Sequence, residues 1–185
     1  MIFEELHNIC SSSYETILFQ AAYTLAFFGL FRVGELVFSS HAENERPLRR
    51  DDILIGTIES ESVDTMKIRL RKSKTNQSGP PVMIDIHAIG TNVCPVKAMV
   101  AFLRIRPNTS SYLLCHQNGF PLTRYQFAAI LKMVTRALHL ETALYGTHSF
   151  RIGAATWLAK RGVSNATIKK MGRWSSNTFE RYIRL

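Results

Sequence analysis

Fifteen residues near the start of the chain limit its fold more than any other feature. From Ile17 to Phe31 the sequence reads ILFQAAYTLAFFGLF. A helix that is apolar on every side must be wrapped, by protein or by lipid. This run is too short to cross a bilayer comfortably, contains Gln20, and passes directly into Arg32 and Glu35. It therefore predicts a buried helix. Ser12 and Glu15 stand ahead of it in capping-box spacing, which places the helix from Ser13 to about Phe28. Gly29 is suited to end it. FRVGELVFS then predicts a second helical segment, with Arg32 at the junction.

The hydrophobic period changes after this. ILIGTI, DTMKIRLRK and PVMIDIHA read as three strands. In the second, Met66, Ile68 and Leu70 alternate with Lys67, Arg69 and Arg71, giving one apolar and one basic face. SKTNQSGPP supplies the turn before the third strand. Helical signals then return. Pro95 opens a helix to about Arg104, and YLLCHQNGFPLT is a short extended piece turning at Asn118–Gly119. Thr123 and Gln126 form a capping box for a helix reaching about Leu138. Three short helices close the chain, over 148–160, 164–171 and roughly 177–183. The expected fold class is mixed α/β, mainly α-helical, with a small three-stranded antiparallel sheet in one domain over 1–185.

A formal charge of +9 on 185 residues favours a polyanionic partner, nucleic acid before an anionic membrane. No amphipathic basic helix with an aromatic face stands out, so no membrane partner is expected. Cys10, Cys94 and Cys115 lack CxxC spacing, which argues against structural zinc and for a reducing compartment. Asp51 and Asp52 are adjacent and would face opposite ways in an extended segment, so they do not suggest a two-metal nuclease. No metal and no cofactor are expected. The N-terminal MIFEELHNIC has early glutamates and no basic start, unlike a secretory signal.

Several residues invite two readings. His148 and Arg151 lie three apart at a helix start, where an anion is favoured, or they are a cap and a surface charge. Arg32 follows an apolar helix with Glu35 three residues on: an internal ion pair, or an arginine held from behind and aimed at a phosphate. Lys74 sits on the hairpin tip, with Arg71 and Lys72 as close competitors for any role there. Trp174 and Tyr182 would each pass for packing residues.

Taken in order, this set resembles the catalytic domain of the tyrosine recombinases, the phage-integrase family. FFGLFRVGEL resembles the first arginine box, SKT the hairpin lysine, and THSFRIGAATWLAKRGVSNATIKKMGRW the HxxR box with the helices behind it. RWSSNTFERYIRL resembles the tyrosine box of the Cre-like and mobile-element branches, nearest to Crypton- and DIRS-type recombinases. Two departures stand out. Trp174 replaces the histidine of many members, as in the Cre-like branch, and the gap to Tyr182 is one residue shorter than in Cre. The family's N-terminal core-binding domain and its exchanged C-terminal segment are expected to be absent from this chain.

The resemblance implies roles. Tyr182 attacks the scissile phosphate and forms a 3′-phosphotyrosyl link. His148 assists it, since a phenol with a pKa of about 10 is a weak nucleophile. Arg32 and Arg151 hold the nonbridging oxygens, Lys74 protonates the departing 5′ oxygen, Trp174 donates a hydrogen bond, and Glu35 supports the site. Double-stranded DNA would lie on Lys67, Arg69, Arg71, Lys72, Lys169, Lys170 and Arg173, mainly through phosphate. A homo-oligomer on DNA is implied, in the nucleus of a eukaryote or otherwise in the cytoplasm, and not secreted. The alternatives are a domesticated, catalytically silent DNA-binding module and a type IB topoisomerase.

Overall fold

The structure, a computed structural model, describes residues 2–39, 47–56, 65–72 and 78–184. Its helices are α1 (Ile2–Ile9), α2 (Ser13–Phe28), α3 (Val33–Leu36), α4 (Pro95–Ile105), α5 (Arg124–Ala137), α6 (Ser149–Lys160) and α7 (Asn165–Met171). Its strands are β1 (Ile53–Gly56), β2 (Thr65–Leu70) and β3 (Val82–His87), and a 3-10 turn spans Asn177–Tyr182. Among the described residues the architecture is mainly helical with one three-stranded antiparallel sheet, as the sequence predicts.

The apolar run is the central helix, α2. Leu18, Phe19, Ala21, Ala22, Tyr23, Leu25 and Ala26 are all buried, and α1, α4 and α6 pack around it. Tyr23 shows how a polar tip is accommodated there: its hydroxyl donates to the Phe127 carbonyl at 3.0 Å while its ring meets Phe127 and Phe150. The N-cap forms with one change. Ser12 accepts from the Glu15 N–H, but the Glu15 carboxylate turns back to the N–H and hydroxyl of Ser11 at 2.9 and 2.7 Å. Beyond Gly29 the second helical segment is shorter than expected, with α3 a single turn. The N-terminal helix α1 was not evident in the sequence pattern: its signal is Leu6, buried, behind Glu4 and Glu5 in the first turn.

The sheet order is β1-β2-β3, with Ile68 opposite Ile53 and Ile84. The alternation in β2 does what its period demands: Met66, Ile68 and Leu70 are buried while Lys67 and Arg69 face out. The Thr123/Gln126 capping box of α5 forms reciprocally, at 3.2 and 3.0 Å. The expected last helix is the tighter 3-10 turn. No helix among the described residues is long and apolar enough to cross a membrane.

Two hydrophobic clusters result. The larger surrounds α2. The smaller contains Leu30, Ala154, Ala155, Leu158, Ile168 and Phe179, with Trp174 and Tyr182 packed on it. Ile168 and Phe179 bring the segments that follow α6 onto this second cluster.

Candidate functional site

Two helix C-termini meet at one guanidinium. Helix α2 ends with Leu30 at φ 45°, and α7 ends with Arg173 at φ 56°. The α7 end is a Schellman closure, with the Trp174 N–H on the Lys169 carbonyl and the Arg173 N–H on the Lys170 carbonyl, each at 3.1 Å. Both ends leave carbonyls at the negative pole of a helix. Arg151, on the first turn of α6, fills the gap between them. It donates through Nη1 to the Leu30 carbonyl and through Nη2 to the Gly172 carbonyl at 2.8 Å. Only 2% of this arginine is exposed.

Trp174 lies against this charge, its ring centroid 4.4 Å from the Arg151 guanidinium carbon. Gly172 makes that possible for lack of a side chain, not for its backbone angle: φ is −79°, yet a Cβ would come within 1.6 Å of the indole. The Tyr182 ring stacks next, 5.2 Å from Trp174 and tilted by 54°. Thr156 of α6 anchors its backbone, donating to the Tyr182 carbonyl at 3.1 Å and accepting from the Arg184 N–H at 3.0 Å.

Arg32 comes from the other side, as the residue before α3. The Glu35 carboxylate accepts from the Arg32 N–H at 2.8 Å and from Arg32 Nη1 at 3.1 Å. The same carboxylate accepts from Arg173 Nη2 at 3.0 Å. Glu35 is 6% exposed, while the Arg32 side chain keeps 22%. One carboxylate thus holds two guanidiniums, and its charge acts on a third, Arg151. Burial pushes Arg151 down to about 10, Arg32 and Arg173 push the same way, and Glu35 and Tyr182 oppose them. Folding lowers the pKa of this base, so its charged form is held against a penalty at neutral pH, relieved as pH rises through about 10. An anion placed among these groups relieves that penalty too.

These elements enclose a polar hollow of about 610 Å³. Arg32, His148, Arg151, Trp174 and Tyr182 all line it. Five of the six side chains singled out in the sequence therefore meet in one place. The sixth, Lys74, lies outside the described residues. The hollow also takes Arg124, Thr147, Ser176, Thr178 and Arg181, which the sequence analysis did not single out. For Arg124 a signal existed: the Thr123/Gln126 box sets it at the first position of α5, and its N–H bonds the Phe38 carbonyl at 2.9 Å, just past α3.

The expected DNA-facing cations divide. Lys67, Lys72 and Lys170 are exposed. Arg69 and Arg71 are partly exposed, yet both turn their Nε to buried Asp52, at 3.2 and 2.6 Å. Lys169 donates to Asn177 at 2.9 Å. Arg173 departs from the expected surface position: its side chain is 8% exposed and points inward. A left-handed backbone at this residue aims the side chain at the α2 end instead of at solvent.

Among the described residues no group of three or more His, Cys, Asp or Glu side chains is placed to hold a metal ion. Cys10, Cys94 and Cys115 are free thiols.

Comparison with solved structures agrees with this geometry at the level of the fold. XerH site-specific recombinase, in a pre-cleavage complex with its difH substrate, superposes with a TM-score of 0.65 at 16% identity, over 100% of this chain and 48% of that one. A lambda integrase dimer on a COC′ core site gives 0.65 at 18% identity, over 99% and 45%. The Tn1549 transposon integrase with circular intermediate DNA gives 0.56 at 14%, over 98% and 58%. The chain thus spans about half the length of the structures it matches. No curated protein sequence matches it. The family model described as "Phage integrase family" matches residues 3–185, virtually end to end, and the chain belongs to that family.

Proposed function

We propose that this chain cleaves and rejoins duplex DNA through a covalent 3′-phosphotyrosyl intermediate, with Tyr182 as nucleophile. The observation that carries the reading is the shared hollow. Arg32, His148, Arg151, Trp174 and Tyr182 reach it from four separate stretches of chain, and its guanidiniums outnumber the carboxylate that holds them.

In the reaction, Tyr182 Oη attacks phosphorus and the P–O5′ bond breaks. The phenol proton passes to His148, and the 5′ oxygen takes a proton from Lys74, whose role rests on the resemblance alone. Arg32, held at its back by Glu35, presents its free donors to the nonbridging oxygens, where charge builds up. Arg151 adds its field from the floor of the hollow and fixes Trp174 above it. Rejoining reverses the steps with a 5′-hydroxyl from the same or another strand. Arginines neutralise the phosphate, so the mechanism calls on no metal.

The solved neighbours are recombinases and integrases held on DNA, which supports site-specific recombination as the process and an oligomer on DNA as the working form. The tyrosine box supports a Cre-like, mobile-element origin of the Crypton or DIRS type, and a nuclear location if the host is eukaryotic. Lys67, Lys72 and Lys170, with Arg69, Arg71 and Lys169, would carry the duplex. The test is a suicide substrate nicked beside the cleavage point. The expected product is a protein–DNA adduct on the 3′ side with a free 5′-hydroxyl, absent in Tyr182→Phe.

One observation favours a second reading, a catalytically silent DNA-binding module: both terminal nitrogens of Arg151 already donate to carbonyls of this chain. DNA binding without any adduct, unchanged in Tyr182→Phe, would decide for it.

A further inference from the structure

Arg173 sits where a surface cation was expected and where a glycine would be ordinary. It holds the left-handed position of the Schellman closure after α7. The closure itself uses only backbone groups, so any residue able to adopt φ 56° would complete it. The side chain must therefore account for an arginine at a position that disfavours one.

That side chain connects three elements. Nη1 donates to the Gly29 carbonyl at 3.1 Å and the Met171 carbonyl at 3.2 Å. Nη2 donates to the Leu30 carbonyl and to Glu35 Oε2, each at 3.0 Å. The guanidinium carbon lies 5.0 Å from the Phe31 ring centroid. The ends of α2 and α7 and the carboxylate of α3 are joined through this one group.

We propose that Arg173 is a positioning residue for strand cleavage: it fixes Glu35, and Glu35 fixes the Arg32 guanidinium at the hollow. The proposal rests on the strand-transfer reading above. Glu35 Oε1 is taken by Arg32 Nη1, so Oε2 holds the carboxylate in plane through the Arg32 N–H and Arg173. Without Arg173, the carboxylate loses its buried charged partner and is held by Arg32 alone, so the pair can swing together. Arg32, partly exposed, loses its fixed direction with it. A displacement of about 1 Å at such a site costs on the order of 100-fold in rate. Arg173 itself, nearly buried, does not need to touch DNA.

The test begins with Arg173→Gly, which suits the backbone angle. Single-turnover cleavage at saturating suicide substrate should fall about 30- to 100-fold, with DNA affinity within about threefold of wild type. Glu35→Gln should give a similar loss, and the double variant should be little worse than the slower single. Losses that multiply, or that follow the fraction of folded protein, overturn the proposal. A second arm needs no activity: the Arg32 Nε–H signal of 15N-labelled protein should broaden or shift in Arg173→Gly, and an unchanged signal overturns the proposal. If wild type forms no adduct, the strand-transfer reading fails and this arm still decides what Arg173 holds. If the glycine variant does not fold, Arg173→Lys carries both arms. It keeps one donor for Glu35 and should cleave about tenfold slower with a shifted Arg32 signal, and no change in either overturns the proposal.

Discussion

In the larger cluster, Phe19, Tyr23, Phe102 and Phe127 interlock with aliphatic side chains from α1, α2, α4, α5 and the sheet. In the smaller cluster, two of the six buried residues are alanines, and Phe179 is the one buried aromatic. Apolar burial at about 25 cal/mol per Å² stabilises the first amply and the second sparingly. What the second lacks in apolar mass it replaces with Arg151, Arg173, Glu35 and two helix ends. The site lies on this polar seam. The side chains proposed to meet a phosphate are thus held by directional bonds, while most of the apolar mass lies in the other cluster.

Removing one large ring from each cluster gives the largest contrast. Phe102→Ala in the larger cluster should cost about 3–5 kcal/mol and lower the melting temperature of the whole molecule. Phe179→Ala should instead raise amide exchange selectively after α6, leaving α2 protected. If exchange rises equally in both regions, the two clusters form one cooperative unit and the distinction fails.

A smaller contrast uses two glycines. Gly172→Ala drives a methyl into the indole of Trp174 and should cost about 1–3 kcal/mol, with a shift in Trp174 fluorescence. Gly153→Ala, within α6, meets only the Phe27 ring edge at 3.3 Å and gains helix propensity, so its melting temperature should stay near wild type. Equal effects would show that the fit at Trp174 is not special. The smallest effect concerns charge. Sulfate at about its dissociation constant should stabilise the protein by roughly 0.4 kcal/mol over chloride at equal ionic strength, and Arg32→Ala should lose that gain. A gain that survives the substitution would place the anion elsewhere.

Much of the larger cluster was legible in the sequence. An all-round apolar run too short for a bilayer must be wrapped by protein, and period-two alternation in residues 65–70 sorted buried from exposed. The site was legible as an ordered set of side chains. Its supporting bonds were not. Whether Arg173 faces water or protein depends on a left-handed turn at a non-glycine residue, which no periodicity announces. Glu15 reaching Ser11 instead of Ser12 is a choice between neighbouring donors on an exposed cap. Arg124 reaches the hollow because its backbone is bonded to Phe38, a long-range pairing that local pattern does not contain.

We propose that the phenol oxygen of Tyr182 becomes bonded to DNA. Digesting the trapped adduct and sequencing its DNA-linked peptide by mass spectrometry tests this directly. A nucleotide remnant on Tyr182, lost in Tyr182→Phe, is the predicted result. A remnant on another residue, or an adduct that forms equally in Tyr182→Phe, would rule out Tyr182 as the nucleophile.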